Sequence, residues 1–165
     1  AFQVQGDYLE EKEFLGTAGA LSLFPEKPEK PFLVMNGDLL TSVNFTNLLE
    51  FHESSQRAMT VCVRECRFQV PYGVVTMQGS DLIDIVEKPS QEFFISAGIY
   101  VLAPSLLEKI PAGTRFDMPE LIQQTAKRGG VGSFPLGCYW LDIGRPEDYL
   151  RAQQDYYGEF TDKEP

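Results

Sequence analysis

Short apolar runs alternate with polar, glycine- and proline-marked breaks along the whole chain, and the apolar spacing changes from run to run. Phe2, Val4 and Gly6 alternate with polar residues up to Tyr8, the period-two pattern of a strand. Residues 17–24 read as a short helix. Phe32, Leu33, Val34 and Met35 are apolar on both faces, as a buried parallel strand is, and lead directly into Asn36, Gly37 and Asp38. Asn44 is placed to cap a helix carrying Phe45, Leu48 and Leu49 at helical spacing. Residues 59–64 are strand-like and β-branched, and residues 73–77 and 82–86 flank a Gln78-Gly79-Ser80-Asp81 turn, a hairpin signal. A further strand covers residues 95–102, broken by Gly98. Met118, Leu121, Ile122 and Ala126 form a helical stripe between Asp117 and Gly129, with the glycines at 129, 130 and 132 read as cap and loop. Pro146 opens a last helix that Gly158 is expected to end.

Strands and helices alternate, which predicts an α/β fold with a mixed, mostly parallel sheet and one antiparallel hairpin. At 165 residues, with no repeat and no long linker, the chain reads as a single domain over 1–165. Apolar residues are 43% and charged residues 23% of it, an ordinary globular balance. Fourteen basic against 24 acidic residues give a net charge of −10. That charge argues against nucleic acid or an anionic membrane as partner, since both need a basic face. A phosphate-bearing small molecule stays open, because one lysine and a divalent cation can reverse the local field. Cys62, Cys66 and Cys138 are an odd set and read as free cytosolic thiols. His52 is the single histidine, on what reads as an exposed helical turn, so zinc sites and histidine-dependent triads have little to draw on.

Candidate chemistry sits at strand ends. Asp38 follows an all-apolar strand at its carboxyl end, where open α/β sheets bind ligands. Asp142 ends a second strand-like run, Cys138-Tyr139-Trp140-Leu141, and precedes Ile143 and Gly144. Two carboxylates at neighbouring strand ends make a hard oxygen site suited to magnesium; the alternative is two solvated turn carboxylates. Glu87 and Lys88 end another strand before Pro89 and can hold a sugar hydroxyl and a phosphate, or be a plain exposed strand end. Small residues 16–20 open a helix whose free N–H groups can approach a base or an anion, although small residues also serve close packing. The adjacent Tyr156 and Tyr157 read as packing or an exposed helix end.

Together, in order, Leu-Gly-Thr-Ala-Gly-Ala-Leu (15–21), Asn-Gly-Asp (36–38), Tyr-Gly-Val-Val (72–75), Val-Glu-Lys-Pro (86–89), Ser-Ala-Gly-Ile-Tyr-Val (96–101) and Trp-Leu-Asp-Ile-Gly (140–144) resemble the sugar-1-phosphate nucleotidyltransferases. The resemblance runs from about residue 8 to residue 155, and residues 116–122, Phe-Asp-Met-Pro-Glu-Leu-Ile, are most similar to the mannose-1-phosphate guanylyltransferase-like branch. It implies a Rossmann-like fold and a magnesium-dependent exchange of a nucleoside triphosphate and a sugar 1-phosphate for a nucleotide sugar and pyrophosphate. It implies Asp38 and Asp142 as metal ligands and, with Lys88, as the catalytic set. Gly16, Thr17 and Gly19 would lie against the base, Glu87 against sugar hydroxyls, and Lys88 against the sugar phosphate. Gly73 and Gly98 would give room around the sugar, beside Ser96, where many relatives carry Asn or Thr.

The family also has a Gly-Gly-x-Gly-Thr-Arg-Leu loop that grips the triphosphate, and this chain contains none. The resemblance, with a first residue Ala1, implies an N-terminally incomplete catalytic domain, inactive alone and prone to self-association along the strand at residues 32–35. The competing expectation is a catalytically dead module that binds a sugar phosphate or nucleotide sugar. Either version is expected in the cytoplasm.

Overall fold

The computed structural model describes residues 6–161. Phe2 and Val4 of the expected first strand lie outside the described residues, and residues 6–8 are irregular. The chain divides into two compact units. One comprises the described part of Ala1–Gly37 with Asn44–Val61 and Gly98–Phe134; the other comprises Asp38–Val43, Cys62–Ala97 and the described part of Pro135–Pro165.

In the first unit a short helix, α1 (Gly16–Gly19), continues as a tighter turn over Ala20–Leu23. Strand β1 (Phe32–Met35) pairs with the end of β6 (Ser90–Leu102), from Phe32 opposite Leu102 to Met35 opposite Ile99. This pairing is antiparallel and β1 is half-buried, which corrects the expectation of a parallel strand covered on both faces. An all-apolar run carries nothing about the direction of its neighbour, and here both its faces are only half covered. The core strand is β6, where Ile99, Val101 and Leu102 are fully buried. The sheet order is β1-β6-β3-β7, with β3 at Met59–Gln69 and β7 at Val131–Pro135. Met59 N donates to Gly130 O and Leu136 N donates to Val63 O, so β7 advances alongside β3 and the sheet is mixed. The glycine-rich stretch is therefore only partly a loop. Gly129 caps the preceding helix at φ +67°, but Val131 and Gly132 already belong to β7, where ladder pairing overrides poor strand propensity.

Helix α2 (Phe45–Ser55) starts where expected: the Asn44 side chain accepts from Asn47 N at 3.0 Å. His52 does not lie on an exposed turn. It is 3% exposed, one helical turn beyond fully buried Leu48, and its Nδ1 is 2.9 Å from Thr60 Oγ1 on β3. Burial pushes the imidazole pKa below its usual value, opposed in part by Glu53. The folded state thus favours neutral imidazole, so this contribution is complete above the unfolded pKa of about 6.5 and is lost as pH falls through the folded value. Urea midpoints should fall on acidification below that pH, and His52→Gln should flatten the dependence. An unchanged slope in the variant would assign the loss to other groups.

Helix α3 (Met118–Ala126) buries Met118, Leu121 and Thr125, and Thr125 Oγ1 bonds back to Leu121 O at 2.7 Å.

In the second unit β2 (Leu39–Thr41) and β8 (Trp140–Asp142) form an antiparallel pair. Strands β4 (Gly73–Gln78) and β5 (Asp81–Glu87) form the expected hairpin, turning at Gly79 with φ +62°. Helix α4 (Pro146–Tyr156) does not stop at Gly158. A wider turn over Tyr157–Thr161 carries it on, and Tyr156 stacks on Phe160 with centroids 5.6 Å apart. All three cysteines are free thiols, and burial raises the Cys62 pKa to about 12, which makes that thiol inert.

Candidate functional site

The backbones that carry the two candidate metal carboxylates lie side by side through strand pairing. Leu39 stands opposite Asp142 at the end of the β2–β8 ladder, and Ile143 N donates to Asp38 O at 2.8 Å just beyond it. The local sequence explains why Asp142 faces outward. Leu141 is buried, so period-two alternation turns Asp142 to solvent. Trp140 anchors the strand: its Nε1 donates to Ala97 O at 2.9 Å, and the Arg64 guanidinium lies 5.7 Å from the ring centroid. Arg64 also donates to the Cys138 and Trp140 carbonyls. Asp38 and Asp142 are both exposed, and among the described residues neither carboxylate carries a side-chain hydrogen bond or ion pair. Among the described residues no three His, Cys, Asp or Glu side chains gather to hold a metal by themselves. Two hard oxygen donors without a third fit an ion such as magnesium that keeps waters and takes substrate phosphates as its remaining ligands.

Glu87 and Lys88 sit at the open end of the hairpin. Gly73 pairs with Glu87, and a Cβ at Gly73 would lie 3.0 Å from Glu87 Oε2. Any larger residue there would displace the carboxylate, which gives the glycine a physical reason. Lys88 has φ +46°, a left-handed conformation for a non-glycine residue, made costlier by the proline that follows. The strained residue is held by Lys88 N to Tyr72 O at 3.2 Å and Gln69 Nε2 to Lys88 O at 3.3 Å. Pattern reading identified Lys88 by charge and position; its backbone strain has no sequence signal. Ser96 is exposed on β6 in this same unit.

Gly98, Gly16, Thr17 and Gly19 belong to the first unit. Gly98 kinks β6 at φ +69°, and its carbonyl accepts from Asn36 N at 2.9 Å. Gly16 and Gly19 are buried and Thr17 is exposed. Ala18 N and Gly19 N both donate to Phe116 O at 3.0 Å, and Phe116 N donates to Leu15 O at 2.8 Å. Thr17 N donates to Asp117 Oδ1, so these three amides are taken by residues 116 and 117, which corrects the expectation of free N–H groups at this helix start. A groove of about 450 Å³ in the second unit is lined by Leu40, Ile143, Tyr149, Ala152, Gln153, Tyr156 and Tyr157. None of the sequence-predicted site residues lines it, and the tyrosine pair belongs to its wall.

A mixed α/β architecture with two exposed carboxylates at one ladder end is what the geometry by itself defines. The chain belongs to the nucleotidyl transferase family, whose model matches residues 1–159 and so covers both units. It is 37% identical over 94% of its length to a mannose-1-phosphate guanyltransferase of Yarrowia lipolytica, covering 45% of that protein. It is 32% identical over 99% of its length to a probable mannose-1-phosphate guanylyltransferase 3 of Arabidopsis thaliana, covering 52% of it. The chain thus spans about half the length of the curated relatives it matches. Among solved structures, HddC from Yersinia pseudotuberculosis superposes with a TM-score of 0.60 at 26% identity, over 88% of this chain and 64% of that one. A putative glucose-1-phosphate thymidylyltransferase from Bacillus anthracis, 21% identical with a TM-score of 0.64 over 88% of this chain and 62% of that one, shares the fold. No helix among the described residues is long and apolar enough to cross a membrane.

Proposed function

We propose that the full-length protein carrying this chain transfers a nucleotidyl group from a nucleoside triphosphate to a sugar 1-phosphate. One observation supports this beyond family membership: Asp38 and Asp142, far apart in sequence, meet at one ladder end with both carboxylates exposed. An oxygen of the sugar phosphate attacks the α-phosphorus in line; the new P–O bond forms as the α–β bridge breaks, and pyrophosphate leaves with the electron pair. No covalent enzyme intermediate is needed, so positioning and charge neutralisation supply the rate. Asp38 and Asp142 would hold a magnesium ion, which when bound offsets charge on the reacting phosphates. Lys88 is a point charge for the sugar phosphate, Glu87 accepts from sugar hydroxyls, and Gly73, Ser96 and Gly98 are assigned to the sugar by the family resemblance. Gly16, Thr17 and Gly19 face the base.

The 165-residue sequence contains no Gly-Gly-x-Gly-Thr-Arg-Leu loop, so alone it lacks a grip on the triphosphate and we read it as inactive by itself. Strand β1 has a sheet neighbour on one side only among the described residues, an edge through which the isolated chain would self-associate. Three free thiols suit the cytoplasm.

The test is pyrophosphate release by the full-length protein, beginning with GTP and mannose 1-phosphate because relatives carry those names. Lys88→Ala should raise the KM for sugar 1-phosphate about tenfold or more with little change for the triphosphate, as loss of a contact to one substrate does. An effect confined to the triphosphate contradicts the Lys88 assignment. Binding of a nucleotide sugar without pyrophosphate release from any pair would make the protein a binding module.

A further inference from the structure

Residues 116–122 stand out in the sequence, yet none of them has a part in the chemistry proposed above. The structure joins them to the glycine-rich turn a hundred positions earlier, within one unit. Asp117 Oδ1 accepts from Thr17 N at 3.0 Å and from Thr17 Oγ1 at 3.5 Å. Thr17 Oγ1 in turn accepts from Met118 N at 2.7 Å, so the threonine hydroxyl takes one of the free N–H groups at the start of α3. Phe116 O receives Ala18 N and Gly19 N, and Phe116 N donates to Leu15 O. The other carboxylate oxygen, Oδ2, lies 3.5 Å from Arg115 Nη2, which leaves Oδ1 turned to the threonine. Gly16 closes against the same group: a Cβ there would meet Asp117 Oδ1 at 2.5 Å and Phe116 O at 2.8 Å. Within its own segment the turn is held by Ser22 Oγ donating to Gly19 O at 2.7 Å, and α1, four residues long, has no side-chain cap.

We infer that Asp117 is a positioning residue that fixes the Gly16–Gly19 turn and thereby sets affinity for the nucleoside triphosphate. The inference rests on the reading in which that turn faces the base. With the amides of Thr17, Ala18 and Gly19 all committed to residues 116 and 117, a planar ring meets only the outer face of the turn, and the charge-assisted bond to Asp117 holds that face in one orientation before binding. Asp117 acts through Thr17 and does not itself touch substrate.

Two measurements on the full-length protein separate the latch from the nucleotide reading. Amide hydrogen exchange at Thr17 should speed up about tenfold or more in Asp117→Ala. In Asp117→Asn, which keeps an acceptor oxygen, protection should largely return. Calorimetry with the tightest binder among GTP, ATP, UTP, CTP and dTTP should show affinity falling about tenfold in Asp117→Ala and recovering in Asp117→Asn. Unaltered exchange at Thr17 in Asp117→Ala overturns the latch. Faster exchange with unchanged triphosphate affinity overturns its role in binding and takes the base-facing assignment with it. A full-length protein that binds none of the five triphosphates overturns the inference too, through the functional reading; the exchange data then still report whether the latch exists.

Discussion

In the full-length protein Asp142→Asn is expected to lower magnesium-dependent pyrophosphate release by about two to three orders of magnitude, the usual cost of removing one electrostatic element at a charged transition state. The substitution preserves shape and removes only the charge. Asp142 is exposed and its side chain has no hydrogen bond or ion pair among the described residues, so stability should change by no more than about 0.5 kcal/mol. Turnover and thermal unfolding measured on the same preparation therefore distinguish lost chemistry from lost structure. Equal magnesium-dependent rates in the two proteins would remove Asp142 from the metal site, and Asp38, its neighbour at the ladder end, would be left without a partner for that role.

The largest stability effect is expected from Gly16→Ala, which should cost about 3 kcal/mol or more in urea unfolding. Gly16 has φ +82°, where an L side chain is strained, and the added Cβ would meet Asp117 Oδ1 at 2.5 Å and a backbone oxygen at 2.8 Å. Neither contact can relax cheaply. The first belongs to the bonded Asp117 carboxylate and the second to a carbonyl that already receives two N–H groups. Gly37→Ala is the control, because a Cβ there meets nothing within 4 Å. Matching midpoints for the two variants would show that the turn is far looser than its geometry.

Elements defined by local chemistry were legible in the sequence. The Asn44 cap, the Gly79 turn and the helix bounded by Asp117 and Gly129 each depend on residues within one turn of the boundary they set. The strand-end position of Asp142 was also readable, because an apolar run breaks at it. Features that depend on distant partners were not. The direction of β1 is set by β6, more than sixty residues later, and the burial of His52 is set by Thr60 on a neighbouring strand. Gly132 enters a strand because β3 offers it a ladder, against its own propensity. The Asp117–Thr17 bond and the left-handed backbone of Lys88 leave no periodicity at all. For the site, position alone favours two solvated turn carboxylates over a metal pair. Pairing of β2 with β8 makes their backbones neighbours.

Trp140 gives the molecule a built-in optical reporter. It is the only tryptophan in the 165 residues. Its indole N–H is committed to Ala97 O, its ring lies under the Arg64 cation, and its backbone is two residues from Asp142 on the same strand. Indole emission responds to nearby charge and to the polarity around its N–H group, so light from this chain originates beside the carboxylate pair. Filling or emptying that corner can be followed through this indole's fluorescence with no label attached.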